Sequence, residues 1–135
     1  MKRFLVAATT ALCASQPAFA ADPSVGAQEW RQCRACHMIT APDGETVQRG
    51  GRVGPNLYGL IGRRAGSVEG FRYGEGLSAA GAAGLVWSEA TLTAYLQGPD
   101  AFLQAQLGDA GAQSNMDAHT VTNPADMAAY LATFN

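Results

Sequence analysis

The chain has 135 residues and a formal net charge of −2, nine basic residues standing against eleven acidic ones. That length suits one domain, and the acidic balance argues against nucleic acid as a partner. Sixteen glycines are well above the usual share of about 7%, and two of the three cysteines fall in one short motif, leaving no pair for a structural disulfide.

The first twenty residues carry Lys2-Arg3, an apolar run from Phe4 to Ala14, and Ala18-Phe19-Ala20, the three-part layout of a secretory signal peptide. The run is too short to span a bilayer; an uncleaved anchor is the alternative reading. Cleavage after Ala20 divides the chain into a leader, 1–20, and a mature domain, 21–135. It removes Cys13, Lys2 and Arg3, leaving seven arginines against eleven acids and a net charge of −4. No later stretch is long enough for a transmembrane helix, so the mature chain is expected in the periplasm without stable membrane insertion. All seven arginines precede Tyr73, and the six acids from Tyr73 onward face no base, which gives the molecule a permanent charge asymmetry.

Asp22-Pro23 reads as a helix N-cap followed by proline at the first helical position. The helix is expected to run into Cys33, with Val25, Gly26, Trp30 and Cys33 at roughly helical spacing. Gly26 inside a helix costs stability unless something packs closely on it; a partner helix crossing there is the natural reason, and a merely tolerated glycine the alternative.

Cys33-Arg34-Ala35-Cys36-His37 follows. C-x-x-C-H is the attachment signature of a c-type haem: two thiols on one turn can form thioethers to the two vinyl groups, and the next residue projects an imidazole at the iron. A thioredoxin-like pair would need a βαβ pattern, which is not visible. A zinc site would need further ligands, for which only His119 or a carboxylate is at hand.

From Met38 to Ile61 the chain turns to Pro42-Asp43-Gly44, Gly50-Gly51 and Gly54-Pro55-Asn56, without sustained period. So long a loop in a small domain is expected to wrap something, and Leu57, Tyr58, Leu60 and Ile61 are too apolar for disorder. An Ala/Gly-rich run after Tyr73-Gly74 predicts one short helix. Ser88 caps a helix through Gln97, with Leu92, Tyr95 and Leu96 on one face, ended by Gly98-Pro99. Asp100 is expected to cap a further helix to Leu107, closed by Gly108. The last helix begins at Asn123-Pro124, and Met127, Tyr130, Leu131 and Phe134 repeat at i, i+3, i+4 and i+7. With almost no strand signal, the fold class is all-α.

Nearly the whole mature chain resembles the class I cytochromes c, the soluble bacterial type similar to mitochondrial cytochrome c. The resemblance rests on Gly26 and Trp30 before the Cys motif, the run Gly54-Pro55-Asn56-Leu57-Tyr58-Gly59-Leu60-Ile61-Gly62-Arg63, Tyr73-Gly74 and Trp87. It continues through the helix holding Tyr95 and Pro99, the loop Gln113-Ser114-Asn115-Met116, and Ala128-Ala129-Tyr130-Leu131. It implies crossing N- and C-terminal helices, with loops and short helices wrapped around one covalent haem held by thioethers to Cys33 and Cys36. His37 and Met116 are the implied axial ligands. Met38 directly follows His37 and Met127 lies in a helical stripe, whereas Met116 sits in a Gly/Ser/Asn loop where it is free to be aimed. The resemblance further implies that the Pro55 carbonyl bonds His37, that Arg63, Tyr73, Trp87 and Ser114 bond the haem propionates, and that Tyr95 lies near the Met116 sulfur.

Two departures stand out. Ala118 occupies a position where the family often has an aromatic residue, and the mature chain has no lysine, so Arg31 and Arg34 beside the Cys motif are the obvious basic flank. Without lysine, His119 is a candidate replacement for Met116 at high pH. The function expected is a monomeric one-electron shuttle, with no catalytic residues, between a cytochrome bc-type complex and an oxidase, a photosynthetic reaction centre or a reductase. A haem enzyme or a gas-binding sensor with an open sixth site is the alternative.

Overall fold

The computed structural model describes residues 20–117 and 121–135. The expected leader, apart from Ala20, lies outside the described residues, as do Ala118 and His119. Helix α1, Pro23–Glu29, starts as the sequence predicts, the Asp22 carboxylate accepting the Ser24 N–H at 2.8 Å. It does not reach Cys33 as a regular helix. Trp30–Gln32 tightens into a 3-10 turn, with the Cys33 N–H donating to the Trp30 carbonyl at 2.9 Å, a common way for a helix end to satisfy its last carbonyls.

The segment after the Cys motif holds a two-stranded antiparallel hairpin, β1 (Ile39–Thr40) and β2 (Thr46–Gln48), that the sequence did not announce. Strands of two and three residues are too short to display an alternating pattern. Helix α2, Glu75–Ala82, fills the Ala/Gly-rich run. Helix α3, Glu89–Gln97, opens with a reciprocal cap: Ser88 Oγ accepts the Thr91 N–H and Thr91 Oγ1 accepts the Ser88 N–H at 2.8 Å. Helix α4, Pro99–Leu107, is capped by Gly98 rather than Asp100, because Pro99 takes the first helical position and Asp100 falls inside the first turn. Gly108 closes it at φ 64°, the left-handed conformation that favours glycine. Helix α5, Pro124–Leu131, buries Met127, Ala128, Tyr130 and Leu131.

Helix α1 packs against α5, α3 against both α5 and α4, and α2 against α4. Gly26 sets the first contact, since a Cβ there would collide with the Asp126 carbonyl and with Tyr130 Cβ at 2.6 Å. Polar ties hold the same crossing: Asn123 Nδ2 donates to Glu29 Oε1 at 2.6 Å, and the Asp22 N–H donates to Asp126 Oδ1 at 2.7 Å. Trp30 lies 6.4 Å from Tyr130 between ring centroids. The regular structure among the described residues is therefore mainly helical, with one small hairpin. None of their helices is long and apolar enough to cross a membrane.

Candidate functional site

His37 is positioned by the loop that follows it. The Gly51 N–H donates to the Arg34 carbonyl at 2.9 Å, the Gly54 N–H to the Cys36 carbonyl at 2.8 Å and the Leu57 N–H to the Met38 carbonyl at 3.1 Å, strapping 51–57 along the Cys motif. Asn56 locks the strap to β1: its Oδ1 accepts the Thr40 N–H at 3.0 Å and its Nδ2 donates to the Thr40 carbonyl at 2.7 Å. At Gly54 only a glycine lets the chain pass, because a Cβ there would run into the His37 ring.

The strap brings the Pro55 carbonyl to 2.9 Å from His37 Nδ1. With the proton on Nδ1 donated to that oxygen, Nε2 keeps its lone pair. Burial holds His37 below the usual imidazole range, against the opposing pull of the Pro55 bond, so the neutral ring is favoured. The neighbouring thiols are unlike: Cys33 is buried and Cys36 exposed. Burial, aided by the charges of Glu29 and Cys36, pushes the Cys33 thiol up to about 11.

These residues line a cavity of about 460 Å³, within the size range of cofactor pockets. Cys33, Cys36, His37 and Pro55 line it from the Cys-motif segment, Arg63 and Tyr73 from the loop before α2, Trp87 and Tyr95 from the region of α3, and Met116 from the loop between α4 and α5. Leu57, Leu60, Leu92, Leu96 and Leu131 supply apolar wall. Arg63 is fixed by donating from both terminal nitrogens, to the carbonyls of Tyr58 and Asn56, each at 3.0 Å. Trp87 is held by its backbone N–H donating to the Arg63 carbonyl at 2.9 Å, and its ring stands edge-on to Tyr95 with centroids 5.2 Å apart.

Ser114 is placed differently from the other nine expected residues. It is not among the lining residues; it shares a hydrogen bond with Tyr95 Oη and accepts the Met116 N–H on its own Oγ at 3.0 Å. Its neighbour Asn115 lines the cavity instead. Burial pushes the Tyr95 phenol up; the Ser114 bond opposes this and the Asp100 charge reinforces it. Asn115, Leu77 and Val121 also line the cavity, and no sequence signal marks them as lining residues. Met127 is both buried and on the cavity wall. For Leu92, Leu96 and Leu131 the helical stripe was the available signal.

The arrangement fits a flat apolar macrocycle with a polar edge. Two free thiols stand beside a neutral imidazole with an open Nε2, the walls are leucine-rich, and a fixed guanidinium with two aromatic side chains capable of donating hydrogen bonds can meet carboxylates. Among the described residues no group of three or more His, Cys, Asp or Glu side chains could hold a metal ion; His119, named for the zinc reading, lies outside them.

No family model matches the chain. Cytochrome c2 of Rhodobacter capsulatus is 42% identical over 134 residues, covering 98% of each chain. Cytochrome c-550 of Paracoccus versutus is 42% identical over 136 residues, covering 98% of this chain and 88% of that protein. The X-ray structure of ferric cytochrome c-550 from Paracoccus versutus superposes with a TM-score of 0.81 at 42% identity, over 84% of this chain and 98% of that one. The Rhodobacter capsulatus cytochrome c2 structure gives 0.81 at 40%, over 83% and 97%. Similarity of this extent in sequence and fold leaves one conclusion: the chain belongs to the cytochrome c2/c-550 family of class I cytochromes c, haem c proteins that carry electrons and are not enzymes.

Proposed function

We propose that this chain is a periplasmic one-electron carrier with a single covalent haem c, attached through Cys33 and Cys36 and ligated axially by His37 and Met116. The observation that carries the reading is the convergence of these four side chains, from two distant parts of the chain, on one cavity. When bound, the haem iron supplies a one-electron couple between ferric and ferrous states. The protein contributes position and environment. Pro55 orients His37 and makes it a better donor. Met116 offers a thioether, which favours the reduced iron and electron transfer over bond chemistry. Arg63, Tyr73 and Trp87 stand ready to satisfy the carboxylates of the group, whose burial without partners would be costly, while Ser114 holds Tyr95 and the Met116 backbone. The leucine walls exclude water.

Residues 1–20 serve as the export leader and 21–135 as the cytochrome domain. As a monomer, the domain shuttles electrons from a cytochrome bc-type complex to an oxidase, a reaction centre or a reductase. Replacing Met116 tests the ligand set: ferric Met116→Ala should lose the weak charge-transfer band of a Met-ligated haem and show a lower reduction potential. Retention of the band in the variant would remove Met116 from the reading.

A further inference from the structure

The loop from Gly108 to Met116 has little structure of its own. Within it the Ala112 N–H donates to the Asp109 carbonyl at 3.1 Å, the Gly111 N–H to Asp109 Oδ1 at 2.8 Å and the Met116 N–H to Ser114 Oγ at 3.0 Å; further polar ties run to neighbouring helices. Two come from one face of α4, at positions one turn apart. Gln104 Nε2 donates to the Ala112 carbonyl at 3.3 Å, and Asp100 Oδ1 accepts the Ser114 N–H at 2.7 Å. Ser114 passes the constraint on, since its Oγ accepts the Met116 N–H and pairs with Tyr95. From the other side α2 comes so close at Gly76 that a Cβ there would strike the Gln113 carbonyl.

Asp100 lies in the first turn of α4, where the helix dipole favours a carboxylate, and its acceptor is charged, which makes the bond to Ser114 the strong kind. It is also the side chain that reaches nearest to Met116 along this chain of bonds from α4. We propose that Asp100 is a positioning residue for Met116: its carboxylate clamps the ligand loop to α4 through the Ser114 amide and so sets how often the loop lets go of the iron. This rests on the reading of Met116 as a ligand.

Free imidazole, an external ligand that can reach the ferric iron only when the loop has opened, reports the open fraction directly, because apparent affinity scales with the population of the competent state. In the ferric holoprotein, Asp100→Ala should bind imidazole about tenfold more tightly than wild type, as expected for loss of one charge-assisted hydrogen bond. Asp100→Asn keeps an uncharged acceptor and should lie between, at about threefold, with faster hydrogen exchange at the Ser114 amide. Glu89→Ala removes an exposed carboxylate that has no bond to the loop among the described residues, and should leave imidazole affinity unchanged.

If Asp100→Ala folds poorly, the Asp100→Asn affinity and the Ser114 exchange rate decide the matter by themselves. A wild-type ferric protein without the Met charge-transfer band overturns the ligand reading and the clamp with it. With that band present, Asp100 variants that track Glu89→Ala in imidazole affinity overturn the clamp alone.

Discussion

His37 depends on a residue that has no side chain. The bond from its Nδ1 to the Pro55 carbonyl exists because the chain at Gly54 runs directly against the imidazole, where any Cβ would overlap the ring. Gly54→Ala must therefore move either the buried ring or the half-buried strap. Its expected cost is about 1–3 kcal/mol, the usual penalty for overpacking, read as a lower denaturation midpoint of the holoprotein. Because the displaced ring also loses its Pro55 partner, the reduction potential should shift along with stability. An unchanged midpoint with an unchanged potential would mean that the strap yields without disturbing the imidazole.

At the scale of elements, the crossing of α1 and α5 places the Cys motif at the edge of the core, and Gly26 makes it possible. Gly26→Val would push α1 away from Tyr130 and the Asp126 carbonyl, with an expected loss of about 2–3 kcal/mol in guanidinium unfolding of the holoprotein. A variant as stable as wild type would show that the crossing has slack. This contact was legible in sequence, as were the Asp22 and Ser88 caps and the stripe Met127, Tyr130, Leu131, because caps and helical stripes are local signals. The hairpin at Ile39–Thr40 and Thr46–Gln48 was not, being too short to show a period.

The role of Asp100 was misread for a related reason. Its residue type suits a cap, but Pro99 occupies the first helical position, and the carboxylate finds its partner fourteen residues along the chain, at Ser114. Likewise the Asn56 lock on Thr40 and the bond between Ser114 and Tyr95 depend on tertiary approach that no periodicity encodes. Nine of the ten expected site residues do line one cavity, since motif spacing and family resemblance speak to residues rather than to loop paths.

For the whole molecule the decisive feature is charge placement. The backbone bond from Gly51 to Arg34 brings Arg49 and Arg52 into the neighbourhood of Arg34, so the basic flank beside Cys36 has more members than the Arg31 and Arg34 evident in sequence. All four are exposed. The chain after Arg72 contributes only acids. Complementary fields steer association and fade with ionic strength, so Arg34→Glu should slow reaction with an acidic redox partner about fivefold at low salt, more than Arg72→Glu does, with the difference shrinking as salt is added. Equal slowing by both, or rates indifferent to salt, would place docking elsewhere.

The proposed carrier role requires a six-coordinate iron site that stays closed to gas ligands in the reduced protein. Carbon monoxide added to the reduced holoprotein tests this most directly, with the absorption spectrum as readout. No change is expected in wild type, and a clear shift in Met116→Ala, where the sixth position is opened. A wild-type spectrum that shifts on adding carbon monoxide would contradict the carrier role and return the haem enzyme or gas sensor as the better reading.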